Sequence, residues 1–381
     1  MTEVRLGQDE VRIRLGDPRS TSTRSSPEHD ADRPARQLGG WAPRSSSSNP
    51  EGKPMMRRRR GTAATLLASL LAVVLLAAGC DGEREDNGGG DAGGGRLSIG
   101  TSNTTGVYYV LGDGYAKLVG DKLSGYRVTP EVTGGPKENI DRVARGDDDL
   151  GLCSLSWATD AIKGQGAFTS AQPIRALSRL YLNYTHVVVR SDIGSLEQLE
   201  GKRISTGSPG ATGELGAQRL LEAAGLDVEK DTRRQKISLN ESVQGMKEGQ
   251  LDAIFWSGGL PTSGIQDLTR TMGSRVKLLD LGKYVQALQT DYPNIYEATT
   301  IAPEVYKQSA PVRTIAEPNL LVVNESMEDK LASDLTGVLL GYLPELAKVH
   351  PEGKNITREK AEQTDPVPLH PGAEQYYKGN P

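Results

Sequence analysis

The chain has 381 residues and a formal net charge of −4, so it carries no electrostatic footprint for nucleic acid, and its length allows two domains. Its two cysteines, Cys80 and Cys153, exclude a disulfide framework if Cys80 is otherwise engaged. Its four histidines, His29, His186, His350 and His370, form no His-x-x-x-His pair, and no Cys-x-x-Cys or Gly-x-Ser-x-Gly motif occurs. Neither a metal, a cofactor nor a catalytic nucleophile is therefore expected, and the chain reads as a binding protein rather than an enzyme.

The front of the chain reads as an address. Arg57 to Arg60, an apolar run from Ala63 to Ala78 and then Gly79-Cys80 follow the layout of a secretory signal over residues 55–79. The run is shorter than the roughly 20 residues a membrane-spanning helix needs. Residues 1–54 are polar, Arg- and Ser-rich and fit no secreted domain. Two explanations stand: a start codon assigned too early, with Met55 or Met56 as the first residue, or a long basic leader. Ala77-Ala78-Gly79-Cys80 resembles a bacterial lipobox, which implies cleavage before Cys80 and a lipid on its sulfur. The protein would then sit on the outer face of the cell membrane, exported by the Sec or the twin-arginine route. Residues 80–95, rich in Gly, Asp and Glu, read as a flexible tether.

From Arg96 short apolar strands alternate with amphipathic helices. Strands are expected at 97–100, 126–132, 150–155, 174–182 and 186–190, with helices near 109–118, 137–145 and 157–163 between them. A second series follows. Strands at 203–205, 235–239, 253–256 and 276–281 are separated by helices at 211–224, from Asn240 or Ser242 through Leu251, and at 261–272. Glu328 to Lys348 is helical. Cys153 closes a buried strand and is expected to be inert. This alternation predicts an α/β fold of parallel-rich sheets flanked by helices, in two successive units (lobes one and two).

Ligands in such sheets sit beyond the carboxyl ends of the strands. Four loops qualify there: 101–106 followed by Tyr108 and Tyr109, then 133–136, 205–213 and 256–262. Each runs into a helix N-terminus, whose free N–H groups and positive dipole end suit an anion such as a carboxylate. The candidate ligand-binding residues are Ser102, Asn103, Thr105, Gly106 and Tyr109, then Thr133, Gly134 and Ser154. Lobe two adds Ser208, Gly210, Ala211, Thr212, Trp256, Ser257 and Gly258. Gly210 is expected to let backbone approach the ligand, Trp256 to cover its apolar part, and Thr105 and Tyr109 to face Ser208 and Thr212 across a cleft. His186, beside a strand, reads as structural.

Several stretches resemble the TAXI family of solute receptors of tripartite ATP-independent periplasmic (TRAP) transporters. They are Ile99-Gly100-Thr101-Ser102 through Tyr109, His186 to Arg190, and Gly201-Lys202-Arg203-Ile204-Ser205 through Glu214. Gly249 to Ala253, Gly258 to Thr262 and Pro368 to Tyr377 complete the set. The resemblance implies a two-lobed periplasmic-binding-protein fold of the second type, two parallel-rich sheets flanked by helices with a hinge. In it lobe one takes residues 96–190, lobe two 191–299 and the chain returns to lobe one over 300–381, with crossings near Val189 and between Thr299 and Val323. It also implies capture of a glutamate-like amino acid or small carboxylate, and a TRAP membrane permease as partner. Asn103-Thr104-Thr105 and Trp256-Ser257 depart from the family pattern inside the expected site. A receptor for an ATP-driven importer and a ligand-sensing input to a membrane kinase remain alternatives.

Overall fold

The computed structural model describes residues 94–104 and 106–380. The signal segment, Cys80, most of the tether and Thr105 lie outside the described residues. The first α/β series contains β1 (Arg96–Gly100), α1 (Val107–Lys122), β2 (Arg127–Glu131), α2 (Pro136–Arg145), β3 (Leu150–Ser154) and α3 (Leu155–Lys163). A 17-residue strand, β4 (Ile174–Arg190), follows. The second series contains β5 (Arg203–Ser205), α4 (Thr212–Ala223), β6 (Arg233–Gln235), α5 (Leu239–Lys247), β7 (Ala253–Gly258), α6 (Ser263–Met272), β8 (Val276–Leu278), α7 (Val285–Asp291), β9 (Glu297–Ile301) and α8 (Pro303–Tyr306). The chain returns along β10 (Val312–Asn324) and ends in α9 (Asp329–Gly341), α10 (Leu343–Val349), α11 (Arg358–Ala361) and α12 (Pro371–Gly379).

Parallel pairing holds at the flanks, where β1 joins β2 and β3, and β5 joins β6 and β7. The centre is antiparallel. β10 pairs with β3 through Asn319–Val323 and with β9 through Val312–Ala316, while β4 pairs with β7 through Tyr184–Val189. β4 and β10 pair with each other through Ile174–Tyr184 and Ala316–Asn324. The two expected sheets are thus hydrogen-bonded into one ten-stranded sheet. The strands expected at 174–182 and 186–190 are one strand, because Asn183 to Thr185 continue the pairing. Partners change within β4 near Tyr184 and within β10 between Ala316 and Asn319.

Helices cover both faces at each end. Around the first series one apolar cluster gathers Ile99, Leu111, Tyr115, Leu177, Leu321 and Leu335, and another gathers Ile140, Cys153, Leu155, Trp157 and Leu320. Around the second, Val187, Ile204, Leu220 and Phe255 form one cluster, and Val188, Met246, Ile254 and Leu268 the other. Each fully buried side chain of this size contributes about 1.5–3 kcal/mol, so each end has its own core.

One local expectation is corrected. The strand at 235–239 stops at Gln235, and α5 is capped by Ser238 rather than by Asn240 or Ser242. Ser238 accepts from the Glu241 backbone N–H while the Glu241 carboxylate accepts from that of Ser238. The Ser-x-x-Glu spacing of a capping box marks this start.

Candidate functional site

The starts of α2 and α3 meet the loop that ends β5 where the two α/β series face each other. On lobe two, Gly210 has φ +76°, a left-handed value that favours glycine. Its N–H donates to Glu214 Oε2 at 2.6 Å, and its carbonyl accepts from the Lys137 N–H of lobe one at 3.3 Å. The Ala211 carbonyl accepts from the Trp157 indole N–H at 3.2 Å. Leu215 of α4 packs into the cluster around Trp157 and Leu155. The lobes are therefore closed on each other along α3 and α4.

Beneath this seam lie the two crossing strands. The Tyr108 hydroxyl donates to Asn319 Oδ1 at 2.5 Å, and the same oxygen accepts from Asn183 Nδ2 at 2.9 Å. Burial raises the Tyr108 phenol well above its ordinary value, and the Thr212 side chain of the opposite lobe offsets part of that rise. Glu317, fully enclosed in β10, accepts from the Ser156 N–H at 3.0 Å and so caps the N-terminus of α3. Burial raises its carboxyl pKa, an effect opposed by hydrogen bonds from Ser156 and Ser154 and by the charge of Arg219.

The helix starts differ in what covers them. α1, α2, α4 and α6 begin at Gly106, Gly135, Ala211 and Thr262, and no side chain caps any of them. Away from the loops, α5 has the full capping box. In its first turn, α4 carries Gly213, where an added Cβ would stand 3.4 Å from the Ser257 nitrogen and 3.5 Å from the carbonyl oxygens of Phe255 and Thr206. The end of β7 thus lies against the start of α4. There the Ser257 hydroxyl is buried without a hydrogen-bond partner, on a residue 9% exposed. A hydroxyl shut away from water without a partner costs about 1–3 kcal/mol, so this is a place where a partner from outside the chain fits.

The expected site residues divide. Ser154, Gly210, Ala211, Thr212, Ser257 and Gly258 gather at or beside the seam. Ser208 lies in the same loop, half-buried, its carbonyl holding the Ala211 N–H. Thr133 is buried in a different role, donating to Asn139 Oδ1 at 2.6 Å and accepting from Gly135 N–H, which fixes its own loop. The Gly134 N–H is taken by Glu138. Ser102, Asn103 and Gly106 stand at the start of α1, Asn103 exposed, and Thr105 lies outside the described residues.

Tyr109 is half-buried and shares a helical stripe with Asp113 and Lys117, an ion pair at 2.6 Å, while its neighbour Tyr108 is buried. Trp256 does not cover the seam. Strand alternation sends Phe255 and Ser257 to one face and Trp256 to the other, where its indole N–H donates to Thr262 Oγ1 at 3.1 Å. At Gly210 the Lys137 Cβ would stand 3.2 Å from an added Cβ, so backbone there lies close to α2 of the other lobe.

Sequence reading placed Tyr108 beside the first loop without choosing it, and missed Asn183, Glu317 and Asn319. The signals were a polar Asn in the middle of a β-branched and aromatic strand at 183, and Glu-Pro-Asn at 317–319 inside an otherwise apolar one.

His186 is fully buried. Its Nε2 lies 2.8 Å from the Tyr306 hydroxyl, which itself accepts from the Thr262 N–H at 2.8 Å. A hydroxyl accepts twice and donates once, so the donor between Tyr306 and Nε2 is set by the ring tautomer. Burial lowers the ring pKa to about 4, against smaller opposing effects from the Tyr184 and Trp256 backbone. Burial likewise pushes the Cys153 thiol up, and the thiol is inert. Among the described residues no group of three or more His, Cys, Asp or Glu side chains is placed to hold a metal ion, and no helix is long and apolar enough to cross a membrane.

Two α/β lobes that share two strands and meet over helix N-termini define a two-lobed α/β fold. The chain belongs to the NMT1-like family, whose pattern it matches over residues 99–380. Its structure is similar to the periplasmic aliphatic sulphonate binding protein SsuA from Escherichia coli, at 14% identity over 75% of this chain and 84% of that one, with a TM-score of 0.43. It is also similar to a binding protein component of an ABC phosphonate transporter from Pseudomonas aeruginosa, at 14% identity, 69% and 80% coverage and a TM-score of 0.47. PhnD1 from Prochlorococcus marinus in complex with methylphosphonate matches at 12% identity, 74% and 98% coverage and a TM-score of 0.47.

Proposed function

We propose that the chain is an extracytoplasmic solute receptor that captures a small carboxylate or a glutamate-like amino acid between its lobes, without chemical turnover. The observation that carries this reading is the Ser257 hydroxyl, buried without a partner in the chain beside the start of α4, which no N-cap side chain covers. A carboxylate there would take the Ser257 O–H and the first N–H groups of α4 together. Closure follows because a solute touching both lobes binds the closed form better than the open one. In this reading a lipid on Cys80 holds the receptor at the membrane and a TAXI-type TRAP permease receives the solute.

The same donors suit a sulfonate or phosphonate, which makes a receptor for an ATP-driven importer the second reading. Isothermal calorimetry of the full chain with L-glutamate, small dicarboxylates, alkanesulfonates and alkylphosphonates distinguishes them. One carboxylate bound per chain and recovered unchanged supports the first. Binding of the sulfur or phosphorus acids alone supports the second, and conversion of the bound solute would sink both.

A further inference from the structure

The seam between the lobes holds an ion pair that the solute-binding reading does not use. Arg219 lies on α4 two turns beyond Thr212 and on the same face, about 10 Å along the helix. Its Nη2 donates to both Asp160 oxygens, at 2.7 and 2.8 Å, and Asp160 belongs to α3 of the other lobe. The two side chains are 3% and 5% exposed. Arg219 Nη1 also donates to the Tyr296 hydroxyl at 3.1 Å, and the guanidinium carbon lies 4.0 Å from the Tyr292 ring centre. Gln165 Nε2 donates to Asp160 Oδ1 at 3.1 Å. Both charges are thus fully engaged, on opposite sides of a boundary that opening must separate or shear.

We propose that Arg219 and Asp160 form an interlobe latch that sets how often the solute-free protein opens along α3 and α4, and so positions the α4 N-terminus for capture. The proposal rests on the receptor reading. Its physical basis is that taking two charges out of water costs about as much as their attraction returns. The pair fixes the closed geometry through its directional bonds without making closure irreversible, as a wide apolar seam would. Leu215 adds only one side chain of apolar contact from α4. Losing one partner changes the balance sharply, since the remaining buried charge then drives the seam toward water.

The test is amide hydrogen exchange followed by mass spectrometry on the solute-free full chain. Asp160→Asn and Arg219→Met should each accelerate exchange in peptides covering 155–163 and 212–220 by about 100-fold or more. Peptides covering 332–340 of α9 should exchange as in the wild type. The double variant Asp160→Leu with Arg219→Met, which replaces the pair by apolar groups, should return both segments to within about tenfold of wild type. Arg219→Lys, which keeps the charge and loses the fork, should fall between and serves if a single variant does not fold. Unchanged exchange at 155–163 and 212–220 in the single variants would overturn the latch. So would an acceleration spread evenly over the chain, α9 included, which would assign the pair to folding stability. Solute binding by the wild type is read separately by calorimetry, and its failure removes the receptor reading while leaving the exchange result in place.

Discussion

Ser257→Ala separates a ligand-binding hydroxyl from a structural one by the sign of its effect. In the solute-free protein Ser257 Oγ is buried and makes no hydrogen bond. Its removal takes away an unsatisfied polar group, which costs about 1–3 kcal/mol when left buried, and the small void it leaves offsets part of that gain. The expected net is a solute-free protein at least as stable as the wild type and up to about 2 kcal/mol more so. For a folded part of this size that is a Tm rise of about 0–8 °C, at roughly 2–4 °C per kcal/mol. Solute affinity should move the other way. Loss of one hydrogen bond costs about 0.5–1.5 kcal/mol for a neutral partner and up to about 3 kcal/mol for a charged one, or roughly 2- to 100-fold in Kd. Thermal melts with and without L-glutamate, together with calorimetry, read both quantities. A Ser257→Ala protein destabilised by 1 kcal/mol or more without solute would mean that the hydroxyl has a partner within the chain. The argument for a solute at this position would then fail.

Tyr108→Phe should weaken both closure and capture, since the phenol ties α1 to Asn319, whereas Tyr109→Phe should leave Kd within about twofold because a surface substitution of this kind stays near ±0.5 kcal/mol. Calorimetry on the two variants tests the choice between neighbours. His186 is neutral in the fold down to about pH 4, whereas the unfolded residue takes up its proton near pH 6.5. Its share of stability is therefore full above about pH 6.5 and falls as pH drops toward 4, by about 3 kcal/mol. Urea titrations from pH 7 to 4 on wild type and His186→Gln should show a steeper fall in the wild type, and parallel curves would refute the assignment. Cys80→Ala should release the protein from membranes, and intact-mass analysis of the extracted wild type should show Cys80 as its lipid-bearing first residue; recovery of residues 1–79 in the membrane form would contradict this.

Much of the alternation was legible because period-2 and period-3.6 patterns are local. Leu97 to Gly100, Leu150 to Ser154 and Ala253 to Trp256 read as strands from their own residues. What the sequence hid depends on partners far along the chain. Nothing in Ile174 to Arg190 alone says that its first half pairs with β10 and its second half with β7. The candidate loops were legible as glycine-, serine- and threonine-rich starts of helices, and Thr212 and Ser257 were named as candidates on that ground. The choice between Tyr108 and Tyr109, or between the two faces for Trp256, turns on a rotation of about 100° in a helix or one step in a strand. Composition does not reveal either. Glu317 was hidden because a buried acid in a strand becomes tolerable only through the N-terminus of α3 and the Ser154 and Ser156 hydroxyls, all far from it in sequence.

The placement of β10 also sets an order of assembly. β10 lies between β3 and β4 in the sheet, yet it leaves the ribosome more than 120 residues after either. Until Asn319 to Val323 emerge, β3 has an open edge and β4 lacks its long antiparallel neighbour, so lobe one cannot complete its core during early synthesis. Pairings this distant close slowly. A chain that reaches its final contacts only once nearly all of it is made remains threadable through a narrow channel for most of its synthesis, and any truncation before residue 312 leaves two central strands without the partner that joins them.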